Sequence, residues 1–464
     1  MNLRRPLIVS AAVSALGAFL FGFDTVVISG AEQRLAEIFA PQAGLTDWWA
    51  SFWHGVLMAA ALIGTVIGSI AVGKPADAIG RRGVMFWLAV LYFVSAAGSA
   101  LAWDWYSLFL FRLIGGLGVG GASVVSPMYI AEISPAHARG RLVALAQFNI
   151  VFGILCAYVS NYVIHGFDLG ANEWRWMFAV ETVPAVLYFG LLFITPRSPR
   201  WLVAKSRDDE ARQVLQLVGV DAAGETVDEE LAAIRQSIDL EHHNLDEPFF
   251  QAKYMKPIML AFAIAAFNQL SGINAILYYS KRIFESAGYT DADAALMNSI
   301  GLGVVNLVFT MIGMALIDHF GRKRLMLIGS IGYLLSLGAT TWAFRTQQTA
   351  DGGFTETGSR TVLIGLLAFL AAHAVGQGAV IWVFIGEIFP NRVRARGQAF
   401  GSFTHWIFAA GISQTFPLIA EMSASGIFLF YTLCMVGQLL WVIFVMPETK
   451  GVPLEQIQER LNIE

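Results

Sequence analysis

Long apolar runs alternate with short polar connections along most of the chain. The runs fall at roughly 6–30, 49–72, 83–102, 105–128, 142–165 and 175–195, and then at roughly 255–280, 295–317, 325–344, 360–385, 398–420 and 425–446. A bilayer is crossed by about 20 apolar residues in α-helical form. The pattern therefore predicts an all-α membrane protein with twelve transmembrane helices. The long polar stretch from Pro196 to Tyr254 carries amphipathic patterns at Asp208 to Arg212 and Asp228 to Ile234, so it reads as a helical segment outside the membrane. The expected divisions are residues 1–195, 196–254, 255–446 and a tail at 447–464. Arg4 and Arg5 precede the first run, but that run is longer than a signal-peptide core, lacks a small-residue cleavage site and contains Asp24. It is read as the first span.

Composition narrows the class. Of the 464 residues, 56% are hydrophobic and 14% charged, against about 25% charged in a soluble domain, so a soluble surface of this size cannot be covered. A net charge of -4 argues against a nucleic-acid partner. Cys156 and Cys434 both lie in apolar stretches, which leaves no material for a disulfide framework or a cysteine metal site. With the N-terminus inside, 23 of the 30 Lys and Arg residues fall on the cytoplasmic side. This predicts a multi-pass cell-membrane protein with both termini cytoplasmic.

Two motifs occur twice. Asp77-Ala-Ile-Gly-Arg81-Arg82 returns as Asp318-His-Phe-Gly-Arg322-Lys323, and Glu132-Ile-Ser-Pro135 with Arg139 returns as Glu387-Ile-Phe-Pro390 with Arg394. Both lie after the second and fourth spans of each half. They mark a duplicated six-span unit, the pattern of transporters whose halves rock about a site near the midplane.

The chain resembles the sugar porter family of the major facilitator superfamily along essentially its whole length. The residues that carry the resemblance are Gly22-Phe-Asp24 through Gly30, Gly73 to Arg82, Arg112 to Gly120, Pro127 to Glu132, Arg139-Gly-Arg141, Pro199 to Leu202, Gln269 to Asn274 with Tyr278 and Tyr279, and Pro447 to Gly451. The resemblance implies a monomer of two six-helix bundles, a cytoplasmic helical segment between them, and a sugar held at the midplane. Several similar bacterial members are proton symporters.

Ionisable residues inside a span cost about 2.5–3.5 kcal/mol on insertion scales, which makes Asp24, Arg112 and Glu181 functional candidates. Asp24 and Arg112 form either a static ion pair between spans 1 and 4 or a proton switch, in which moving Arg112 away raises the carboxyl's proton affinity. The family match favours the switch, with Glu181 either tuning Arg112 or satisfying the backbone. Motif match also assigns sugar contacts to Gln147, Asn268, Gln269, Asn274, Tyr278, Asn306, Trp382, His405 and Trp406. Neutral amides suit hydroxyls, and an indole suits the apolar face of the ring. Asn268, Ile154 and His405 depart from the family pattern and bear on which sugar is held.

Gly272 interrupts span 7, so that Tyr278 and Tyr279 can bend over the sugar as a gate. Asp77, Arg81, Glu132 and Arg139, facing Asp318, Arg322, Glu387 and Arg394, form an expected lock between the cytoplasmic ends of the bundles. Glu448 joins them, whereas Arg197 stands where the first half of many members has a Glu. The expected function is proton-coupled symport of a monosaccharide. A uniporter and a non-transporting sensor remain alternatives, as does export of drugs or organic anions. Sugar, protons and the bilayer are the expected partners. No cofactor or metal is called for, and no enzymatic motif is evident.

Overall fold

The computed structural model describes residues 4–42, 47–219, 226–244, 248–349, 353–390, 392–452, 454–461 and 463. Spans 1 to 5 are Arg5–Gln42, Asp47–Ala71, Arg81–Ala100, Trp105–Ile133 and Ala136–His165. Span 6 is Gly170–Ile194, broken at Val180 and Glu181 between Glu173–Ala179 and Thr182–Leu191. Span 7 is Ala252–Tyr278. Spans 8 to 12 are Ala292–Phe320, Arg322–Thr346, Glu356–Ile388, Arg394–Met422 and Ala424–Phe444. Eleven are long and apolar enough to cross a membrane by composition alone. Span 11 falls short of that measure because it spends Gln398, Ser402, Thr404, His405, Ser413 and Gln414 in its length. Helices this polar are tolerated in a membrane bundle where the polar residues meet other helices or a cavity.

Four helices outside the spans lie at one end of the bundle, with the two ends of the described chain. Pro199–Ala204, Asp208–Val218 and Val227–Asn244 pack against the N-terminal half, and Leu454–Arg460 against the C-terminal half. This end is called the terminal end, and the opposite one the far end. Asp208–Val218 begins with three acidic residues, which suit the positive end of its dipole, and stops at Gly219 in the left-handed conformation (φ 88°).

Small residues let backbones approach where the helices cross. A Cβ on Gly116 would lie 2.0 Å from the carbonyl oxygen of Ala61, and one on Gly64 would lie 2.2 Å from that of Leu113, so spans 2 and 4 touch main chain to main chain. Between the halves the principal contacts are span 2 with span 11 and span 5 with span 8.

The buried apolar residues divide unevenly between the two ends. At the far end one cluster runs through both halves, from Phe39, Ala100 and Trp174 to Tyr279, Phe344 and Phe428. At the terminal end there are two clusters, one around Val84, Tyr129 and Leu202 and the other around Leu325, Phe384 and Ile457. The halves are thus joined at the far end and separate at the terminal end.

Candidate functional site

Asp24 is held at mid-span by Arg112 from span 4. Arg112 Nη1 donates to Asp24 Oδ1 at 2.6 Å and Nη2 donates to the Asp24 carbonyl oxygen at 2.9 Å. The side chains are 0% and 1% exposed. Gly115 makes room for them, since a Cβ there would lie 2.3 Å from Ser95 Oγ and 3.4 Å from Asp24 Oδ1. The guanidinium also lies 5.3 Å from the ring centre of Phe178. Glu181, carried on the break in span 6, is fully buried and turns its carboxyl toward Asp24 and Arg112. Asp24 Oδ2 and both Glu181 oxygens are without a hydrogen-bond donor among the described residues. One cation thus faces two acids in a dry space, and the cluster is neutral only when one of the acids holds a proton. Tyr278 lies within electrostatic reach of the same pair.

A chain of neutral polar groups follows on span 7. It breaks at Ser271 and Gly272, where Gly272 has φ 86° and sits against the Tyr431 ring, then continues as Ile273–Tyr278 and Ser280–Ser286. Gln269 Nε2 donates to Asn268 Oδ1 at 3.0 Å, and Gln269 Oε1 accepts from Asn274 Nδ2 at 2.9 Å. Gln269 Nε2 also lies 3.1 Å from His405 Nε2. The His405 ring sits 5.2 Å from Trp382 and 4.7 Å from Trp406. Trp382 is 39% exposed. Trp406 is buried edge-on against Phe21 of span 1 at 5.6 Å, with its Nε1 unpartnered among the described residues.

Five of the sequence-selected residues, Asn268, Gln269, Asn274, His405 and Trp382, therefore join in one connected group, with Trp406 beside it. Gln147 is half-buried on span 5, and Asn306 on span 8 accepts from Thr310 Oγ1 at 3.3 Å. Tyr279 is turned into the C-terminal half, where its hydroxyl donates to the Ser413 carbonyl at 2.9 Å and its ring stacks on Phe416 at 4.6 Å.

The duplicated motifs make matching ion pairs at the terminal end. Arg81 Nε lies 3.0 Å from Glu132 and Nη1 3.1 Å from Asp77, while Arg322 Nη2 lies 2.7 Å from Glu387 and Nη1 3.4 Å from Asp318. Gly80 and Gly321 turn the chain before each at φ 84° and 86°. Arg139 donates to the Ala131 carbonyl at 3.1 Å, and Arg394 to that of Phe389 at 3.3 Å. In this conformation each of these ion pairs runs within one half, not from bundle to bundle. Glu448 accepts from the backbone N–H groups of Arg322 and Lys323 and so caps span 9. Burial opposes its ionisation, but the N–H groups of Lys450, Arg322, Lys323 and Thr449 outweigh it and hold the carboxyl below the usual range. Arg197, in the other half, instead lies 5.2 Å over the Trp201 ring.

A third polar group, at the far end, was not selected from the sequence. Glu32 Oε1 accepts from His54 Nε2 at 2.7 Å and from Arg282 Nη1 at 3.3 Å, and Arg282 Nη2 reaches Glu421 Oε1 at 3.3 Å. Ser51 donates to Glu421, and Gln33 to Glu285. Span 1 extends well beyond the first apolar run, and this is what buries Glu32. The two adjacent cations Lys281 and Arg282, on a side otherwise poor in basic residues, were the available signal.

Known proteins share the sequence and fold of the chain along nearly its whole length. The family model described as "Sugar (and other) transporter" matches residues 10–461. The chain belongs to this family. Over 98% of the chain it is 36% identical to the glucose transport protein of Synechocystis, covering 97% of that protein. It is 35% identical to the D-xylose-proton symporter of Escherichia coli K12 over 96% of the chain and 94% of the relative. Among solved structures, the partially occluded inward-open conformation of the xylose transporter XylE from E. coli superposes with a TM-score of 0.84 at 33% identity, over 97% of this chain and 99% of that one.

Proposed function

We propose that the chain is a proton-coupled monosaccharide symporter of the cell membrane, working by alternating access as a monomer with its terminal end in the cytoplasm. The observation that carries the coupling is the buried set of Asp24, Glu181 and Arg112. When Arg112 is on Asp24 the aspartate is stabilised as the anion, and rocking that lengthens this contact leaves a desolvated carboxylate that binds a proton. Coupling follows if proton and sugar are each released only when the cavity has changed sides. The far end is closed here and the ion pair is made, which is the arrangement expected after a proton has left for the cytoplasm.

Sugar recognition is assigned to Gln147, Asn268, Gln269, Asn274, Tyr278, Asn306, Trp382, His405 and Trp406. The relatives' named sugars support a hexose or pentose, and the amide chain around Gln269 offers donors and acceptors without net charge, which suits a neutral polyhydroxy compound. The within-half clusters of Asp77, Arg81, Glu132, Arg139, Asp318, Arg322, Glu387 and Arg394 would meet one another when the terminal end closes.

The test is sugar-driven proton movement with purified protein in liposomes. Symport predicts that adding sugar outside raises external pH in step with uptake. Normal uptake with no proton movement would leave a uniporter. Asp24→Asn should abolish accumulation against a gradient while sparing exchange.

A further inference from the structure

The far-end polar group joins the halves through charge. Glu32 comes from span 1 and His54 from span 2, whereas Arg282 comes from the outer piece of span 7 and Glu421 from the end of span 11. Glu32 and His54 are 1% and 6% exposed, Arg282 25% in its side chain and Glu421 44%. A small cavity lined by Arg282, Phe344, Phe416, Glu421 and Phe428 lies against the outer side of the group. The inner contact is therefore dry and the outer one wetted. Charged contacts are worth most in the dry position and least in the wet one.

The group has the features of a latch. Its Glu32–His54 contact lies within the N-terminal half and survives if the halves part. Both contacts from Arg282 are lost only with motion: the one to Glu32 breaks when the halves separate, and the one to Glu421 breaks when the outer piece of span 7 swings from span 11. Glu32 then keeps a partner in either state, so the buried carboxylate is not stranded by opening. Arg282 is the side chain that links the two acids, Glu32 and Glu421, although Glu421 also accepts from Ser51 of span 2.

We propose that Arg282 bolts the far end shut by bridging Glu32 and Glu421, and that breaking this bridge is the step that admits sugar from the far side. His54 positions Glu32 for it. The proposal rests on the alternating-access reading, to which it adds the contact that sets the balance of states at the far end.

Spin labels report the balance directly. In the full-length protein, with Cys156 and Cys434 replaced by serine, labels at Phe167→Cys and Arg345→Cys lie on exposed far-end sites in opposite halves. Pulsed dipolar spectroscopy in nanodiscs then measures the far-end separation. Arg282→Gln should raise the longer-distance population about fivefold or more, and Glu421→Gln should raise it less. Distances unmoved in both variants, while saturating xylose or glucose shifts the unsubstituted protein between two populations, would overturn the latch. If Arg282→Gln does not fold, Glu421→Gln decides by the same criterion. A single distance population in every variant, with and without sugar, would sink alternating access itself, and the latch with it.

Discussion

Asp24 shows at the scale of one residue why a buried charge needs company. Removing one partner of such a pair costs about 3–5 kcal/mol because the other is left uncompensated. Arg112→Leu should thus lower thermal stability sharply, measured by the unfolding of detergent-purified protein, whereas a double variant with Asp24→Asn should recover part of the loss. Gln269 sits at the hub of the amide chain, bonded to Asn268, Asn274 and His405. Gln269→Ala should weaken sugar affinity by roughly tenfold or more, since it strands at least one buried polar partner at about 1–3 kcal/mol. Titration of tryptophan fluorescence with sugar, reporting from Trp382, would measure this. Asp24, Arg112 and Glu181 were legible in the sequence because a charge in an apolar run stands out. His54 and Glu32 were not, because each lies at the edge of a run, where a polar residue is ordinary.

Elements were legible by the same logic, and the exceptions follow from it. Twelve apolar runs became twelve spans, yet the sequence does not display where span 6 breaks or how far span 1 continues past its apolar stretch, because both are decided by contacts with neighbours. Span 11 meets span 2 through Gly55, where a Cβ would lie 2.0 Å from the carbonyl oxygen of Gln414. Gly55→Leu should hold these helices apart and trap the far end open. The expected signature is sugar binding that persists from the far side with uptake nearly abolished, read by ligand binding and liposome flux on the same preparation. The cap on span 9 gives a pH test. The Glu448 carboxyl is held below its ordinary value of 4.5, so its ionised form stabilises the helix end fully above that value and loses the effect as pH falls through the lowered one. Glu448→Gln should melt a little below the parent at neutral pH, by an amount limited by the residue's exposure, and the two should converge in acid.

For the whole molecule, duplication is what made the architecture readable: two motifs repeated in the same order require two equivalent units, and Arg81 and Arg322 take up matching partners as a result. What duplication conceals is the state of the assembly. The same charges that suggest a bundle-to-bundle lock are satisfied within each half here, since equivalent residues in a repeat can pair either way. The single apolar cluster at the far end has a thermal consequence. Opening that end wets the part of this cluster that joins the halves, while closing the terminal end would bring together a mouth rich in Arg and Asp. The exchange of apolar surface is unequal, and wetted apolar surface carries a positive heat-capacity change. Since apolar attraction weakens on cooling, cold should favour the form open at the far end, giving the carrier's resting balance a built-in dependence on temperature.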